Sequence, residues 1–132
     1  MSVEADPNAR VLVVDDSRLI RELAQDALEG RARLECCESA EAALEALQRE
    51  PADLVLSDLS MGGMSGLDLL ERVRRAHPET DFILITAHAS IESAVRALRM
   101  GAADYLQKPI QPEQFRAVVD RLLSHRRLFM EN

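Results

Sequence analysis

Five polar side chains stand at the ends of short apolar runs in this sequence: Asp15, Asp16, Asp58, Thr86 and Lys108. Three carboxylates held close together repel one another unless a cation or a proton lies between them. Mg²⁺ is the natural counter-ion, because it prefers carboxylate oxygens and keeps water ligands that leave room for a phosphoryl oxygen. The Lys108 ammonium adds a compact positive charge, and the Thr86 hydroxyl can donate or accept a hydrogen bond. Together these residues predict a Mg²⁺-dependent site that holds a phosphoryl group.

Asp58 is the best candidate nucleophile of this set. A carboxylate forms an acyl phosphate when its oxygen attacks phosphorus in line, while a metal ion and a lysine spread the growing charge. The competing structural interpretation is that an aspartate after a strand is a turn residue or a helix cap. That interpretation applies most directly to Asp16, which precedes Ser17.

Apolar runs and helical periodicities alternate five times, which is the pattern of a parallel sheet covered by helices on both faces. We predict strands at 10–14, 32–37, 53–56, 82–85 and 104–106, and helices at 17–29, 39–49, 67–76, 90–100 and 112–129. The predicted fold class is α/β: a doubly wound, flavodoxin-like (βα)5 five-stranded parallel sheet of order 2-1-3-4-5. In such a sheet the carboxyl ends of the strands line the ligand-binding edge, and the strand before Asp58 is central.

Three of the predicted helices carry apolar residues at helical spacing, as amphipathic helices do. The residues are Leu19, Ile20, Leu23 and Ala27 on one face of the first helix, Ile91, Ala94, Val95 and Leu98 in the fourth, and Phe115, Val118, Val119, Leu122 and Leu123 in the fifth. Cys36 and Cys37 are adjacent and match neither a zinc pattern nor a disulfide framework, so we expect them to be buried small hydrophobes.

A length of 132 residues fits one domain. We expect a disordered lead-in at 1–9, the domain at 10–124, and a C-terminal helix extension or the start of a linker at 125–132. The net charge of −7 argues against direct contact with nucleic acid, which is bound by clustered Lys and Arg. No apolar run approaches the roughly 20 residues that cross a bilayer, so we expect no membrane contact and a cytoplasmic location.

Four short motifs, in this order, resemble those of response-regulator receiver domains, the CheY-like family of two-component signalling. Residues 13–17 (VVDDS) are similar to the acidic pair of the family, and residues 56–61 (LSDLSM) to its phosphoacceptor strand end. Residues 85–87 (ITA) match its hydroxyl position, and residues 108–109 (KP) match its lysine and following proline. The likeness covers nearly the whole chain, from about residue 10 to residue 123.

The resemblance implies a role for each of these positions. Asp58 would receive a phosphoryl group from a sensor histidine kinase or a phosphotransfer protein, and Asp16, Asp58 and the Ser60 backbone carbonyl would bind Mg²⁺ directly. Asp15 would act mainly through water. Thr86 would move toward the phosphoryl group, and Tyr105, as the switch aromatic, would turn inward. The implied protein is a phosphoacceptor switch, whose catalysis is limited to its own phosphorylation and dephosphorylation.

The implied output face consists of the fourth helix, fifth strand and fifth helix, and it would control an output domain such as a transcriptional activator. Residues 101–109 and 126–129 are similar to those of receivers that precede an ATPase module in bacterial enhancer-binding activators. Phe115, Leu122 and Phe129 lie seven apart, which could seed a homodimer seam, although core packing explains the first two equally well.

One departure from the family pattern is Gly62, followed by Gly63, where a proline is common. Loss of proline removes a fixed φ, so we expect a looser loop. Ser60 and His88 lie where the family tunes access of hydrolytic water, but an exposed loop position is the simpler interpretation of His88. His77 and His125 show no ligand spacing, and we expect both to be solvated.

Three alternative functions compete with a phosphoacceptor. A dehalogenase-type phosphohydrolase would need an acidic residue two positions after its nucleophile, where Ser60 stands. A nucleotide or flavin binder would want a phosphate loop after the first strand, and Asp15 and Asp16 would repel that phosphate. A receiver fold that only docks and is never phosphorylated is compatible with the sequence, although the five pocket residues are all present.

Overall fold

The structure, a computed structural model, describes residues 8–131, with side chains described for residues 8–124. The predicted lead-in therefore lies outside the described residues except for Asn8 and Ala9. Ala9 is buried, and its carbonyl accepts the Arg33 N–H at 2.7 Å. The side chains of His125 and Phe129 also lie outside the described part.

Five strands and five helices alternate along the chain. The strands are Arg10–Val14 (β1), Arg33–Cys37 (β2), Leu54–Asp58 (β3), Asp81–Thr86 (β4) and Asp104–Gln107 (β5). The helices are Arg18–Leu28 (α1), Ala40–Arg49 (α2), Gly66–Ala76 (α3), Ile91–Arg99 (α4) and Pro112–Glu131 (α5). All strand pairs are parallel, and the order is β2-β1-β3-β4-β5. The predicted fold class and strand order are confirmed.

The sheet separates two apolar cores because successive side chains of a strand point to opposite faces. Leu12, Val55 and Leu84 pack on the side of α2 and α3. Val13 and Ile83 pack on the side of α1 and α5. Every residue of β1 and β3 is buried, which explains their continuous apolar runs, whereas β2 and β5 are half-buried edge strands and have weaker sequence patterns.

Serine residues fix the starts of four helices. The hydroxyls of Ser17, Ser39, Ser65 and Ser90 accept backbone N–H groups of the first turns of α1, α2, α3 and α4. Each bond satisfies a donor that the helix itself leaves unpaired. Because each cap lies in the loop that follows a strand, the helices begin at the same edge of the sheet as the strand ends.

The apolar stripe of α5 packs in the core as expected, with Phe115, Val118, Val119 and Leu123 buried and Leu122 half-buried. Phe115 is therefore unavailable to the suggested dimer seam. Cys37 is buried, as predicted, and burial raises the pKa of its thiol to about 11. Cys36 is only half-buried, and both cysteines are free.

Two apolar stripes differ from the arrangement that their spacing suggested, the α1 stripe at one residue and the α4 stripe at most of its residues. On α1, Ile20, Leu23 and Ala27 pack on the sheet, but Leu19 is 73% exposed because it lies about 100° around the helix from Ile20. On α4, Ala97 is the buried residue.

The stripe of Ile91, Val95 and Leu98 points outward on α4, with exposed fractions of 86%, 41% and 52%. The side of α4 that faces the sheet carries small residues instead. We refer to Ile91, Val95 and Leu98 as the α4 stripe.

Candidate functional site

The predicted polar residues gather at the carboxyl edge of the sheet. Asp15 and Asp16 follow β1, Asp58 is the last residue of β3, Thr86 is the last residue of β4, and Lys108 follows β5. The parallel register brings these ends together, because Val14 pairs with Ser57 and Asp58 with Ile85. The backbone N–H of Lys108 also donates to the Thr86 carbonyl at 2.8 Å.

Three carboxylates meet at this edge. Oxygens of Asp15, Asp16 and Asp58 all lie within 4.8 Å of one another. Asp15 and Asp58 are only 1% and 6% exposed, whereas Asp16 is exposed. Two of the three charges are thus shielded from solvent. The repulsion between them is strong because little water screens it.

Lys108 is the positive partner of the two buried carboxylates. Its Nζ lies 3.0 Å from Asp15 Oδ2 and 3.5 Å from Asp58 Oδ1. Burial alone would lower the pKa of Lys108, but the contacts with Asp15 and Asp58 outweigh burial and raise the pKa. Lys108 therefore remains a cation at neutral pH.

Asp58 is held in an environment that disfavours its charge. Burial raises the pKa of Asp58 above its ordinary value, and the neighbouring Asp15 raises it further. Lys108 opposes both effects without cancelling them. The ionised form of Asp58 is therefore higher in energy than that of an exposed aspartate, and added positive charge or a charge-spreading product would relieve it.

The site fits a hard divalent cation. Asp15 Oδ2 is buried, and among the described residues its partner is the Lys108 ammonium, 3.0 Å away. The donor set consists of carboxylate oxygens, which Mg²⁺ prefers, and one member, Asp16, is open to solvent. Asp15, Asp16 and Asp58 are thus the residues that could hold Mg²⁺. The predicted contribution of the Ser60 carbonyl stays a prediction, and the Ser60 side chain is exposed on the loop after β3.

Asp15, and not Asp16, makes the local turn contact. Asp15 Oδ1 accepts the Ser17 N–H at 2.9 Å, and Ser17 itself caps α1. The interpretation of Asp16 as the cap of α1 is therefore wrong, because Ser17 occupies that place, although Asp16 does lie at the bend between β1 and α1. The second oxygen of Asp15 remains directed into the site.

Thr86 is buried beside the cluster, and Oγ1 accepts the His88 N–H at 3.1 Å within its own loop. Tyr105 is half-buried one strand further out, where it pairs with Leu84. Its hydroxyl lies 2.6 Å from Ser93 Oγ in α4, so it belongs to the α4 side of the edge and not to the carboxylate cluster. His88 is exposed as expected, whereas His77 is half-buried at the end of α3.

Two residues that sequence reasoning missed position the cluster. Arg21 Nη1 donates to the Asp15 carbonyl at 2.8 Å, and it holds the β1 end from α1. At Gly66 the first turn of α3 approaches β3 so closely that a Cβ would lie 2.3 Å from the Asp58 carbonyl oxygen. The Gly-rich loop after Asp58 was the available signal for Gly66, and Arg21 gave no signal.

The described residues include no helix with the length and apolar character needed to span a membrane.

Comparison with known proteins agrees with this geometry. The family model described as "Response regulator receiver domain" matches residues 11–120. The DNA-binding transcriptional regulator NtrC of Klebsiella pneumoniae is 43% identical over 115 residues, which cover 86% of this chain and 24% of that protein. The response regulator protein FleR of Pseudomonas aeruginosa is also 43% identical, over 118 residues covering 89% of this chain and 24% of FleR.

Among solved structures, the signal receiver domain of a putative Luxo repressor protein from Vibrio parahaemolyticus is 30% identical, with a TM-score of 0.87. The match covers 92% of this chain and 94% of that one. This chain therefore spans about a quarter of the curated relatives it matches but nearly all of a solved receiver domain.

Proposed function

Because the chain belongs to the response regulator receiver domain family of two-component signalling, we propose that Asp58 accepts a phosphoryl group from a sensor histidine kinase or a phosphotransfer protein. One observation carries the proposal: Asp58 lies with Asp15 and Asp16 in a cluster of carboxylates, and Lys108 Nζ lies 3.5 Å from Asp58 Oδ1.

The proposed step is an in-line displacement at phosphorus. A carboxylate oxygen of Asp58 forms the new P–O bond, the P–N bond to the donor histidine breaks, and the electron pair of that bond stays on the imidazole nitrogen. Only the ionised form of Asp58 can attack. Lys108 supports that form, and its ammonium is close enough to contact a phosphoryl oxygen on the product.

Bound Mg²⁺, held by Asp15, Asp16 and Asp58 with the Ser60 carbonyl, would supply positive charge to the phosphoryl oxygens. The residues of the chain exclude water and position the reacting groups. Burial of Asp15 and Asp58 limits water at the reacting atoms, and the Arg21 contact with the Asp15 carbonyl keeps the β1 end in place.

We further propose that phosphorylation is read at the face formed by α4, β5 and α5. The Thr86 hydroxyl would exchange its loop contact for a phosphoryl oxygen, and Tyr105 would turn inward. Such a switch is a shift between two packings that differ by only a few kcal/mol. The outward α4 stripe supports this assignment, because clustered exposed apolar residues mark interaction surfaces.

The proposed partner of that face is an output module of the transcriptional-activator type in the same polypeptide. The matched relatives are transcriptional and response regulators about four times as long as the aligned segment, which supports a further module. A homodimer formed on phosphorylation remains a prediction, to be tested by sedimentation with and without the segment after Leu123.

Incubation with acetyl phosphate and Mg²⁺, followed by intact mass measurement, tests the assignment of Asp58. We expect one acid-labile phosphate on the wild type and none on Asp58→Ala. Asp53→Ala, just before the opposite end of the same strand, is the matched control and should be labelled like the wild type. No label on a folded wild-type protein would favour the docking-only alternative, and equal labelling of Asp58→Ala would refute the nucleophile.

A further inference from the structure

Hydrogen bonds at both ends of a short stretch of chain connect Thr86 with Tyr105 through the start of α4. Thr86 Oγ1 accepts the His88 N–H at 3.1 Å, and two residues later Ser90 caps α4. Ser90 and Ser93 form a reciprocal capping box, in which Ser93 N–H donates to Ser90 Oγ at 3.0 Å and Ser90 N–H donates to Ser93 Oγ at 3.3 Å. The loop after β4 and the first turn of α4 therefore form one short unit of the chain, with Thr86 at one end and Ser93 at the other.

Ser93 has a second contact that the capping box does not require. Its Oγ lies 2.6 Å from the Tyr105 hydroxyl, a short distance for two hydroxyl groups. This contact joins α4 directly to β5. With Ala97 as the buried residue of α4, the helix has little apolar anchoring of its own.

We propose that Ser93 is a positioning residue, whose hydrogen bond with Tyr105 holds that side chain at the start of α4 and opposes the rearrangement that phosphorylation of Asp58 drives. The inference rests on the proposed function. It deepens that function by naming a contact that influences the equilibrium between the two packings before phosphorylation. In the arrangement described, Thr86 Oγ1 is bound within its own loop and Tyr105 is bound to the same loop-and-helix unit. An inward turn of Tyr105 would break the 2.6 Å contact, so the contact stabilises the arrangement in which it occurs.

A double-mutant cycle in urea unfolding tests whether the bond contributes in solution. The variants are Ser93→Ala, Tyr105→Phe and their combination, because each single change removes one hydroxyl and leaves the rest of the side chain. We expect a coupling of about fivefold in the unfolding equilibrium constant. Strictly additive effects would show that the bond contributes nothing and would overturn the inference, whatever the result of phosphorylation.

The rate of labelling by acetyl phosphate and Mg²⁺ tests the effect on the switch. Ser93→Ala and Tyr105→Phe should each label about fivefold faster than the wild type, and the double variant should label no faster than either single variant. Unchanged or slower labelling of the single variants would contradict the proposal. Absence of label on the wild type would instead refute the proposed function itself.

Two further variants separate this role from simple weakening of the helix. Ser90→Ala removes the N-cap of α4 and leaves both hydroxyls of the Ser93–Tyr105 pair. If helix fraying were the cause, Ser90→Ala would speed labelling at least as much as Ser93→Ala, and the inference would fail. Ser93→Thr retains a hydroxyl and should restore a rate near that of the wild type.

The chain supplies its own spectroscopic probe for this experiment. Tyr105 is the one tyrosine in the sequence, which contains no tryptophan, so tyrosine emission reports on this side chain alone. Phosphorylation should change the emission of the wild type. The unmodified Ser93→Ala protein should differ from the unmodified wild type in the same direction, and identical emission of the two would contradict the proposal.

Discussion

The amino ends and the carboxyl ends of the parallel strands, which form the amino edge and the carboxyl edge of the sheet, differ in how their charges are paired. At the amino edge, buried Arg10 pairs with Glu35 at 2.5 Å and with Glu50 at 3.6 Å, and it also donates to the carbonyls of Glu50 and Ala46. Arg33 and Arg49 pair with the same two glutamates. At the carboxyl edge, three clustered carboxylates face the single ammonium of Lys108.

The pKa directions follow this difference. The Arg49 guanidinium, aided by Arg10, holds the pKa of Glu35 below its ordinary value. Burial and Asp15 raise the pKa of Asp58. The amino edge thus stabilises its charges, whereas the carboxyl edge keeps a surplus of negative charge that a bound divalent cation can neutralise.

Removal of Arg10 should have the largest effect on stability. Arg10→Met leaves two backbone carbonyls without this donor and leaves Glu35 and Glu50 with one arginine partner each, and we expect a loss of about 3 kcal/mol in the free energy of unfolding. Urea denaturation measures it. The control is Arg18→Met, which breaks an exposed pair with Glu22 and should cost no more than about 0.5 kcal/mol. Equal losses for the two variants would mean that the amino edge is not a matched network.

Gly66→Ala should affect both stability and the site. The added methyl would lie 2.3 Å from the Asp58 carbonyl, so the end of β3 or the start of α3 must shift, at a cost of about 2 kcal/mol. We expect slower labelling by acetyl phosphate as well. Gly62→Ala is the matched control, because nothing lies within 4 Å of its added Cβ and both measurements should stay near those of the wild type. A wild-type labelling rate for Gly66→Ala would show that this close approach does not position Asp58.

Asp58→Asn should have a smaller effect of opposite sign. It removes a charge that burial and Asp15 disfavour, so we expect a gain of about 1 kcal/mol in the free energy of unfolding near neutral pH without divalent cations. Because the folded-state pKa of Asp58 is raised, the wild type loses stability as pH rises from the ordinary carboxyl pKa through the raised one.

The gain of Asp58→Asn should therefore shrink as pH falls through that window, where the wild-type carboxyl becomes protonated. Unfolding measured across acidic and neutral pH provides the test. Asp26→Asn, at an exposed position of α1, is the control. A pH-independent difference between Asp58→Asn and the wild type would contradict the assigned cause.

Most of the fold, and the placement of the carboxylate cluster, could be predicted from the alternation of apolar runs and helical periodicities in the sequence. Apolar runs located β1, β3 and β4, and strand ends in a parallel sheet must share an edge, so Asp15, Asp58 and Lys108 could be brought together without coordinates. The site roles themselves stay predictions, since geometry does not measure reactivity.

Three features could not be predicted because they depend on tertiary contacts. Helical spacing identifies a stripe but not its direction, and Val95 and Leu98 of α4 point outward while Ala97 faces the sheet. The close approach at Gly66 depends on how α3 meets β3. The bond between Ser93 and Tyr105 joins residues of two elements whose spacing gives no hint of contact.

Divalent-cation binding tests the surplus of negative charge at the carboxyl edge most directly. Urea unfolding with and without saturating Mg²⁺ should show stabilisation of the wild type, as expected for a ligand of the native state. Asp16→Asn and Asp58→Asn should lose most of this stabilisation, and Arg18→Met should keep it. No stabilisation of the wild type, or equal stabilisation of all four proteins, would contradict a cation site built from Asp15, Asp16 and Asp58.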